Sequence, residues 1–475
     1  AWRDLGRTSL EKAEAAFQQE LETLDFRIEQ ARAELDYRAA TRGQAEAPLA
    51  AGTQLNFRGS VEPGSETAAA GRKTFDLTLW IAAQNETGAE VLWLLEERGR
   101  GEFPWPGRFG RVSLDRRWRA GGPGPALLYD RGDGRSVVPV PLPFLAEEQP
   151  LAAGAKFQDG KFELTVEKPS KTADRASWKV GVRDPFGPRR TLWVDQASPL
   201  VLGLAEKVTM GRGDEYQLKL EWLTSERLPE GQFSAISKAF ERLTALSSKL
   251  GLKAHAEEID WKGGQLELLR EQLPPLGELA VATPLAKLVS AAQRDLEAQS
   301  GRSSGVAELA TKFGGRAVED FSAKGFGAEA LSLAELKDQV TVLHFWDYRD
   351  EPLKEPYGQV GYLDFIYHRR KPAGLRVYGV AVDGRLADDK TRAAAERSVK
   401  KLKEFMNLSY PVLLDGGGLI KQFGDPRVVG ANLPLYVVIG PDQKIIHYHV
   451  GHYEVHQDQG LKELDQVVVE ALGKK

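Results

Sequence analysis

Four histidines in IIHYHVGHYEVH, residues 445–456, form the densest set of metal-ligand types in the chain. His447 and His449 stand two apart in a run that reads as a strand, which puts both imidazoles on one face roughly 6–7 Å apart. That spacing can hold Zn or Cu, with His452 as a further nitrogen donor. Glu454 and Asp458 are the carboxylates in an obvious ligand register, and His368 and His456 lie in the same part of the chain. The plainer reading is an exposed strand face decorated with histidine. A second concentration is acidic: Asp347, Asp350, Glu351 and Glu355, with Arg349 among them. Paired carboxylates can divide general-acid and general-base work. The plainer reading is a solvated loop that leads into a helix start, where acids are stabilised electrostatically and Arg349 neutralises part of the cluster. Thiol chemistry is excluded, because the 475 residues contain no Cys. P-loop, G-x-S-x-G and H-E-x-x-H patterns are absent from the sequence.

The elements that must position these groups change character along the chain. Residues 1–45 read as one long helix. Thr8 and Glu11 form a capping-box pattern, and Leu10, Ala13, Phe17, Leu21, Leu24, Ile28, Ala31 and Leu35 recur at spacings of three and four. That stripe predicts packing on its own domain or a short coiled coil, and hence self-association. From Thr53 to about Leu223, short alternating or apolar runs such as Phe75–Trp80, Val91–Leu95 and Tyr216–Trp222 sit between Gly and Pro clusters. They predict a mostly antiparallel sheet. Eight of the ten Trp residues fall between Trp80 and Trp261, which predicts an aromatic core or, alternatively, an apolar binding face. Helical patterns then run over Phe233–Leu250, Gln265–Leu273, Pro284–Gln299 and Val306–Phe313, with Pro274-Pro275 and Gly/Ser segments as breaks.

The last third carries a family resemblance. In LHFWDYRDEPLKE, residues 343–355, Phe345-Trp346 ends a strand. Arg349, Asp350, Pro352, Leu353 and Glu355 follow at the positions of W-C-x-P-C and the later Glu in thiol reductases of the TlpA/ResA type. Asp350 and Leu353 thus stand where that family has its two cysteines. Glu319-Asp320-Phe321, Leu333–Lys337, the apolar runs Val340–Phe345 and Leu375–Val382, and Tyr410–Asp415 match further segments in order. Asn432–Ile439 resembles the segment carrying the family's cis-proline, at Pro434. A turn at Gly440–Lys444, a strand Ile445–Val450 and a helix Leu461–Leu472 complete the pattern. The resemblance implies a thioredoxin-like redoxin domain over residues 315–475. It also implies a groove for an extended chain bounded by Tyr348, Arg349, Asp350, Pro352 and Leu433-Pro434, with Trp346 at the strand end. Disulfide exchange needs a thiolate and a second sulfur, and Asp and Leu supply neither. A weaker resemblance, to the W-x-D-x-x-x-x-P-L hairpin of LolA/LolB-like half-barrels, rests on Trp193, Asp195, Pro199 and Leu200 and implies a curved sheet with a lipid-binding option.

Together these readings predict a multi-domain α+β chain. It comprises an N-terminal helix (1–45), a curved antiparallel β-domain (46–228), a helical connector (229–314) and a C-terminal thioredoxin-like α/β domain (315–475). The predicted function is a redox-inactive structural or protein-binding module. The alternatives are metal-dependent chemistry at the His-rich hairpin and carriage of a lipid or small ligand by the β-domain. No cofactor is expected beyond Zn or Cu at that hairpin, and a protein partner is expected. A net charge of −4 argues against nucleic acid as a partner. No run approaches the roughly 20 apolar residues of a membrane span. Ala1 in place of Met fits a cleaved signal peptide or a sequence boundary equally, and the resemblance implies a periplasmic or otherwise exported location.

Overall fold

The computed structural model describes residues 49–64, 71–132, 134–145, 151–252, 255–326, 330–349 and 357–473. The helix expected over residues 1–45, and self-association through it, lie outside them. The chain divides into two compact units at Arg294/Asp295.

The first unit is built on an eleven-stranded antiparallel sheet. Strands β1 (Thr53–Pro63), β2 (Lys73–Asn85), β3 (Gly88–Arg98), β4 (Phe109–Asp115) and β5 (Ala120–Gly121) form one half. β6 (Ala126–Asp130) and β7 (Arg135–Pro139) pair separately. β8 (Lys156–Asp159), β9 (Phe162–Thr172), β10 (Arg175–Asp184), β11 (Gly187–Asp195), β12 (Val201–Met210) and β13 (Asp214–Arg227) form the other half. The halves join where β1 pairs with β13, Thr53 opposite Arg227. Strand alternation puts Leu55, Phe57, Phe75, Leu77, Leu79 and Val91 on one face, where Leu127, Tyr129 and Val138 of the β6–β7 hairpin cover them. Intervening residues face the other way. Trp80 lies 5.4 Å from Phe240 of helix α1 (Glu230–Leu250), its indole N–H donating to Gln54 Oε1 at 2.7 Å. The start of β2 is pinned to the end of β3 by a buried ion pair, Lys73 Nζ to Glu97 at 2.7 Å. Glu97 also accepts the N–H groups of Phe103 and Leu128, each at 3.1 Å.

Two expected helix breaks are absent. Helix α2 (Gly263–Ala280) continues through Pro274 and Pro275, because Leu266, Leu269, Leu273, Leu276 and Ala280 bury one continuous stripe. Burial outweighs the lost N–H groups. Helix α3 (Ala286–Phe313) likewise runs through Gly301 and Gly305. A Cβ at Gly305 would lie 2.7 Å from Val429, so close packing rather than a turn explains that glycine.

The second unit has a seven-stranded sheet in the order β15-β14-β18-β17-β16-β19-β20. These strands are β14 (Ser322–Gly325), β15 (Ala330–Ser332), β16 (Val340–Trp346), β17 (Leu375–Val382), β18 (Val412–Asp415), β19 (Leu435–Ile439) and β20 (Ile445–Val450). β16, β17 and β18 are parallel, while β19 and β20 run antiparallel to their neighbours. Helices α4 (Val360–Arg370), α5 (Asp389–Phe405), α6 (Leu419–Phe423) and α7 (Lys462–Leu472) complete the unit. Val340, Val342, Val377 and Val438 pack with Leu363, Val399, Leu402 and Val468 on one side of the sheet. Leu343, Phe345, Val380, Val437 and Phe423 pack on the other. Burial on both faces is why β16 and β17 read as near-continuous apolar runs. The whole is a mixed α+β chain.

Candidate functional site

The parallel strands β16 and β17 deliver their C-terminal ends to one edge of the second unit, where crevices form in open α/β sheets. Trp346 and Arg349 lie there, both half-buried. Asp350, Glu351, Pro352, Leu353 and Glu355 lie outside the described residues. Phe345 stands opposite Leu435, so the segment after β16 lies beside the one before β19. That second segment holds Leu433, half-buried, and Pro434, buried, joined by a cis peptide bond. Helix α4 starts at Val360. Tyr357, Gly358 and Gln359 have φ of 51°, 61° and 62°, so no right-handed helix runs through them from the loop into α4. Gly358 is required twice over: its φ is left-handed, and a Cβ there would sit 2.4 Å from the Trp346 ring.

Tyr348 does not border a groove. It is 1% exposed and turns inward. Its hydroxyl lies 2.6 Å from His344 Nδ1 and 3.2 Å from Tyr410 Oη. Gly379 on β17, opposite His344, makes this room, since a Cβ there would meet the Tyr348 hydroxyl at 2.4 Å. His344 is fully buried, with Tyr436 4.5 Å away. Its Nε2 makes no well-formed hydrogen bond, although the Gly358 carbonyl lies near enough to favour the charged ring slightly. Burial first, and His452 second, push the His344 pKa down to about 3, so the ring is neutral at pH 7. Gln359 closes the network: its Oε1 accepts Tyr453 N–H at 3.0 Å and Tyr436 Oη–H at 3.2 Å, and its Nε2 donates to Tyr453 O at 2.8 Å. The left-handed turn before α4 is therefore tied to β16, β19 and the segment after β20.

That segment also organises the His-rich hairpin. His447 and His449 share a strand face, rings parallel and 6.3 Å apart. They are half-buried rather than exposed. His447 Nε2 bonds Tyr453 Oη at 2.7 Å, and His449 stacks on the Tyr453 ring at 3.8 Å. Burial lowers the pKa of His447 and His452, and lowers His449 to about 4 with help from His447. Among the described residues no three His, Asp or Glu side chains converge on a common metal position. Residues whose types suggest ligands are here part of an aromatic stack.

An Asp-x-Arg spacing recurs around the same edge. Arg349 pairs with Asp347 at 2.6 Å, Arg385 with Asp383 at 2.8 Å and Arg427 with Asp425 at 2.7 Å. Burial alone would raise Asp383, but Arg385, with help from Arg349, holds it below the usual carboxylate range. Arg427 and Lys421 do the same for Asp425. Asp347 is thus one of three Asp-x-Arg pairs among the described residues. The three repeats were visible in the sequence as D-Y-R, D-G-R and D-P-R. His344 was visible too, as the one ionisable residue inside an otherwise buried strand.

Residues 315–448 match the sequence profile of the AhpC/TSA family. Solved structures match about a third of the chain. A Chlorobium tepidum protein assigned as the thiol:disulfide interchange protein DsbE is 23% identical, over 34% of this chain and 98% of its own, with a TM-score of 0.25. A thiol:disulfide interchange protein from Bacteroides sp. is 17% identical, over 34% of this chain and 90% of its own, with a TM-score of 0.25. A thioredoxin-family thiol:disulfide interchange protein from Chlorobium tepidum TLS is 18% identical, over 33% of this chain and 96% of its own, also with a TM-score of 0.25. No curated protein matches the chain.

Proposed function

We propose that the chain's thioredoxin-like redoxin domain is a redox-inactive recognition domain that binds an extended polypeptide beside Trp346, Arg349 and Leu433-Pro434. The observation that carries this reading is the complete lack of cysteine in a domain that still matches the redoxin profile and still has Leu433-Pro434 beside the end of β16. Without a thiolate the edge cannot exchange disulfides. What it retains is a half-buried indole, a half-buried leucine and an Asp347–Arg349 pair. Those groups suit a polypeptide segment with one apolar anchor and polar flanks. An exported location, implied by the resemblance to the TlpA/ResA type, goes with this reading.

The test combines two readouts on the full chain. Insulin reduction should stay at background at every pH from 5 to 9. Peptides selected from a displayed random library should bind the wild type and lose at least tenfold affinity to Leu433→Asp, with an unchanged melting temperature. Turnover above background would overturn the redox-inactive half. Peptide affinities indifferent to both Leu433→Asp and Trp346→Ala would overturn the binding half.

A further inference from the structure

Direct contacts join the β16 edge to a set of imidazoles. The half-buried Trp346 indole packs on the left-handed turn before α4, where a Cβ at Gly358 would stand 2.4 Å from the ring. That turn is held from the far end of the unit's sequence. Gln359 accepts the Tyr453 N–H at 3.0 Å and donates to the Tyr453 carbonyl at 2.8 Å. Tyr453 lies in the segment after β20 and is itself buried. His449 stacks on its ring, centroids 3.8 Å and planes 12° apart, and His447 Nε2 bonds its hydroxyl at 2.7 Å. One residue, Tyr453, therefore ties the histidine face of β20 to the turn under Trp346.

The surroundings suit these rings while they are neutral. His447 and His449 lie parallel, 6.3 Å between centroids, so positive charges on both would repel. His452 is a third imidazole close to His449, and Tyr436 at 6.3 Å and Tyr453 are the phenols beside it. Among the described residues no carboxylate is paired with His449, and its Nε2 is buried without a well-formed hydrogen bond. The His452 backbone is the group that favours its charged form. Glu463, near the start of α7, faces His447 and Tyr453 and favours a charge on His447. Of the two strand histidines, His449 is thus the one with no acid to support a proton. Burial, and then His447, lower its pKa to about 4. His344, surrounded by Tyr348, Tyr436 and His452, lies 6.4 Å from Trp346 and belongs to the same cluster.

We propose that protonation of this histidine cluster detaches the Tyr453 segment and unseats the turn under Trp346, so that the domain holds its polypeptide at neutral pH and releases it in acid. This regulation rests on the recognition reading of the β16 edge. The closed arrangement takes no proton at His449 until the pH nears 4, whereas a detached segment leaves a ring of ordinary pKa 6.5. As the pH falls below 6.5, opening is favoured by up to about tenfold per pH unit for each ring freed. With Tyr453 displaced, Gln359 loses both backbone partners. Tyr357, Gly358 and Gln359, at φ of 51°, 61° and 62°, then lose the contacts that hold three successive left-handed residues in place. Trp346 loses the surface it packs on.

The experiment uses the full chain and a terminally blocked peptide lacking Asp, Glu and His, selected from a displayed random library at pH 7.5. Its affinity is measured calorimetrically at pH 7.5, 6.5 and 5.5 for the wild type, for His449→Phe, which keeps a ring on Tyr453 without a proton site, and for Gln359→Leu, which cuts the link to the turn. Hydrogen exchange of residues 357–359 and 451–456 is followed over the same range without peptide or denaturant, corrected for intrinsic exchange. Wild-type affinity should fall by roughly tenfold or more from pH 7.5 to 5.5, and His449→Phe should lose no more than about threefold. Gln359→Leu should bind at pH 7.5 about as weakly as the wild type does at pH 5.5. Both segments should lose protection together, ahead of the β16 and β19 amides. Should His449→Phe fail to fold, Gln359→Leu and the wild-type exchange profile still decide the matter. The proposal is overturned by affinity that ignores pH, by the same fall in His449→Phe, or by unchanged protection of the two segments in acid. A library that yields no binder at pH 7.5 refutes the recognition reading and the release with it, whereas binding that ignores pH refutes the release alone.

Discussion

Acid should loosen the second unit well before its carboxylates titrate. His344 has an ordinary pKa of 6.5 that burial lowers to about 3 in the folded chain. A base whose folded pKa is depressed contributes fully above its unfolded value, and that contribution is lost as pH falls towards the folded value. Between pH 6.5 and 4.5 the unfolded chain takes up a proton at this site that the folded chain refuses. Each unit is worth about 1.4 kcal/mol, so His344 alone should remove roughly 2 kcal/mol across that window. His449, lowered to about 4, acts in the same direction, as do His447 and His452. The depressed carboxylates Asp383 and Asp425 contribute only as pH falls through the ordinary aspartate value of 3.8, outside the window. The assay is hydrogen exchange of β16 and β19 amides in the full chain under mild denaturant, from pH 7.5 to 4.5, corrected for intrinsic exchange. His344→Leu should flatten the dependence by about 1 kcal/mol per pH unit. At pH 7.5 it should cost about 1–3 kcal/mol, because the Tyr348 hydroxyl loses the shorter of its two bonds. A flat profile in the wild type, or an unchanged slope in His344→Leu, would refute the reasoning.

In the first unit, Glu97→Gln leaves the Lys73 charge buried against Gln in place of a carboxylate and should cost about 3–5 kcal/mol in urea unfolding; a loss below 1 kcal/mol would show that water reaches Lys73. Replacing His447 and His449 together by Ala removes the bond and the stack to Tyr453, so stability should fall by about 1–3 kcal/mol, readable as an earlier thermal midpoint. Adding Zn or Cu to the wild type should leave that midpoint unchanged, and a metal-dependent rise would favour the metal-site reading instead. Gly358→Ala meets Trp346 at 2.4 Å with φ at 61° and should cost about 2–4 kcal/mol; a neutral result would mean that the Trp346 ring is free to move.

Much of the second unit was legible because its strands are buried on both faces. Leu375–Val382 reads directly from its apolar run, Ile445–Val450 follows from the resemblance, and the observed strands have those same limits. The helix limits in the connector were not legible, because Pro274-Pro275 and Gly301 are local signals and the burial that overrides them is tertiary. The site was half-legible for a related reason. Trp346, Arg349 and Leu433-Pro434 sit at strand ends that the pattern marks. Tyr348 reads as a loop residue, and its contacts with the buried His344 and with Tyr410, 62 positions away, turn it inward. The left-handed turn at Tyr357–Gln359 depends on Gln359 reaching Tyr453, 94 positions away. His447 and His449 were placed on the right face, but the ring that occupies them comes from the following loop.

The most direct test of the central claim is hydrogen exchange of the full chain with and without a saturating library-selected peptide. Binding at the β16 edge predicts slowed exchange in residues 345–349 and 431–436, no change across β1–β13, and loss of the effect in Leu433→Asp. Protection elsewhere, with residues 431–436 unaffected, would contradict it.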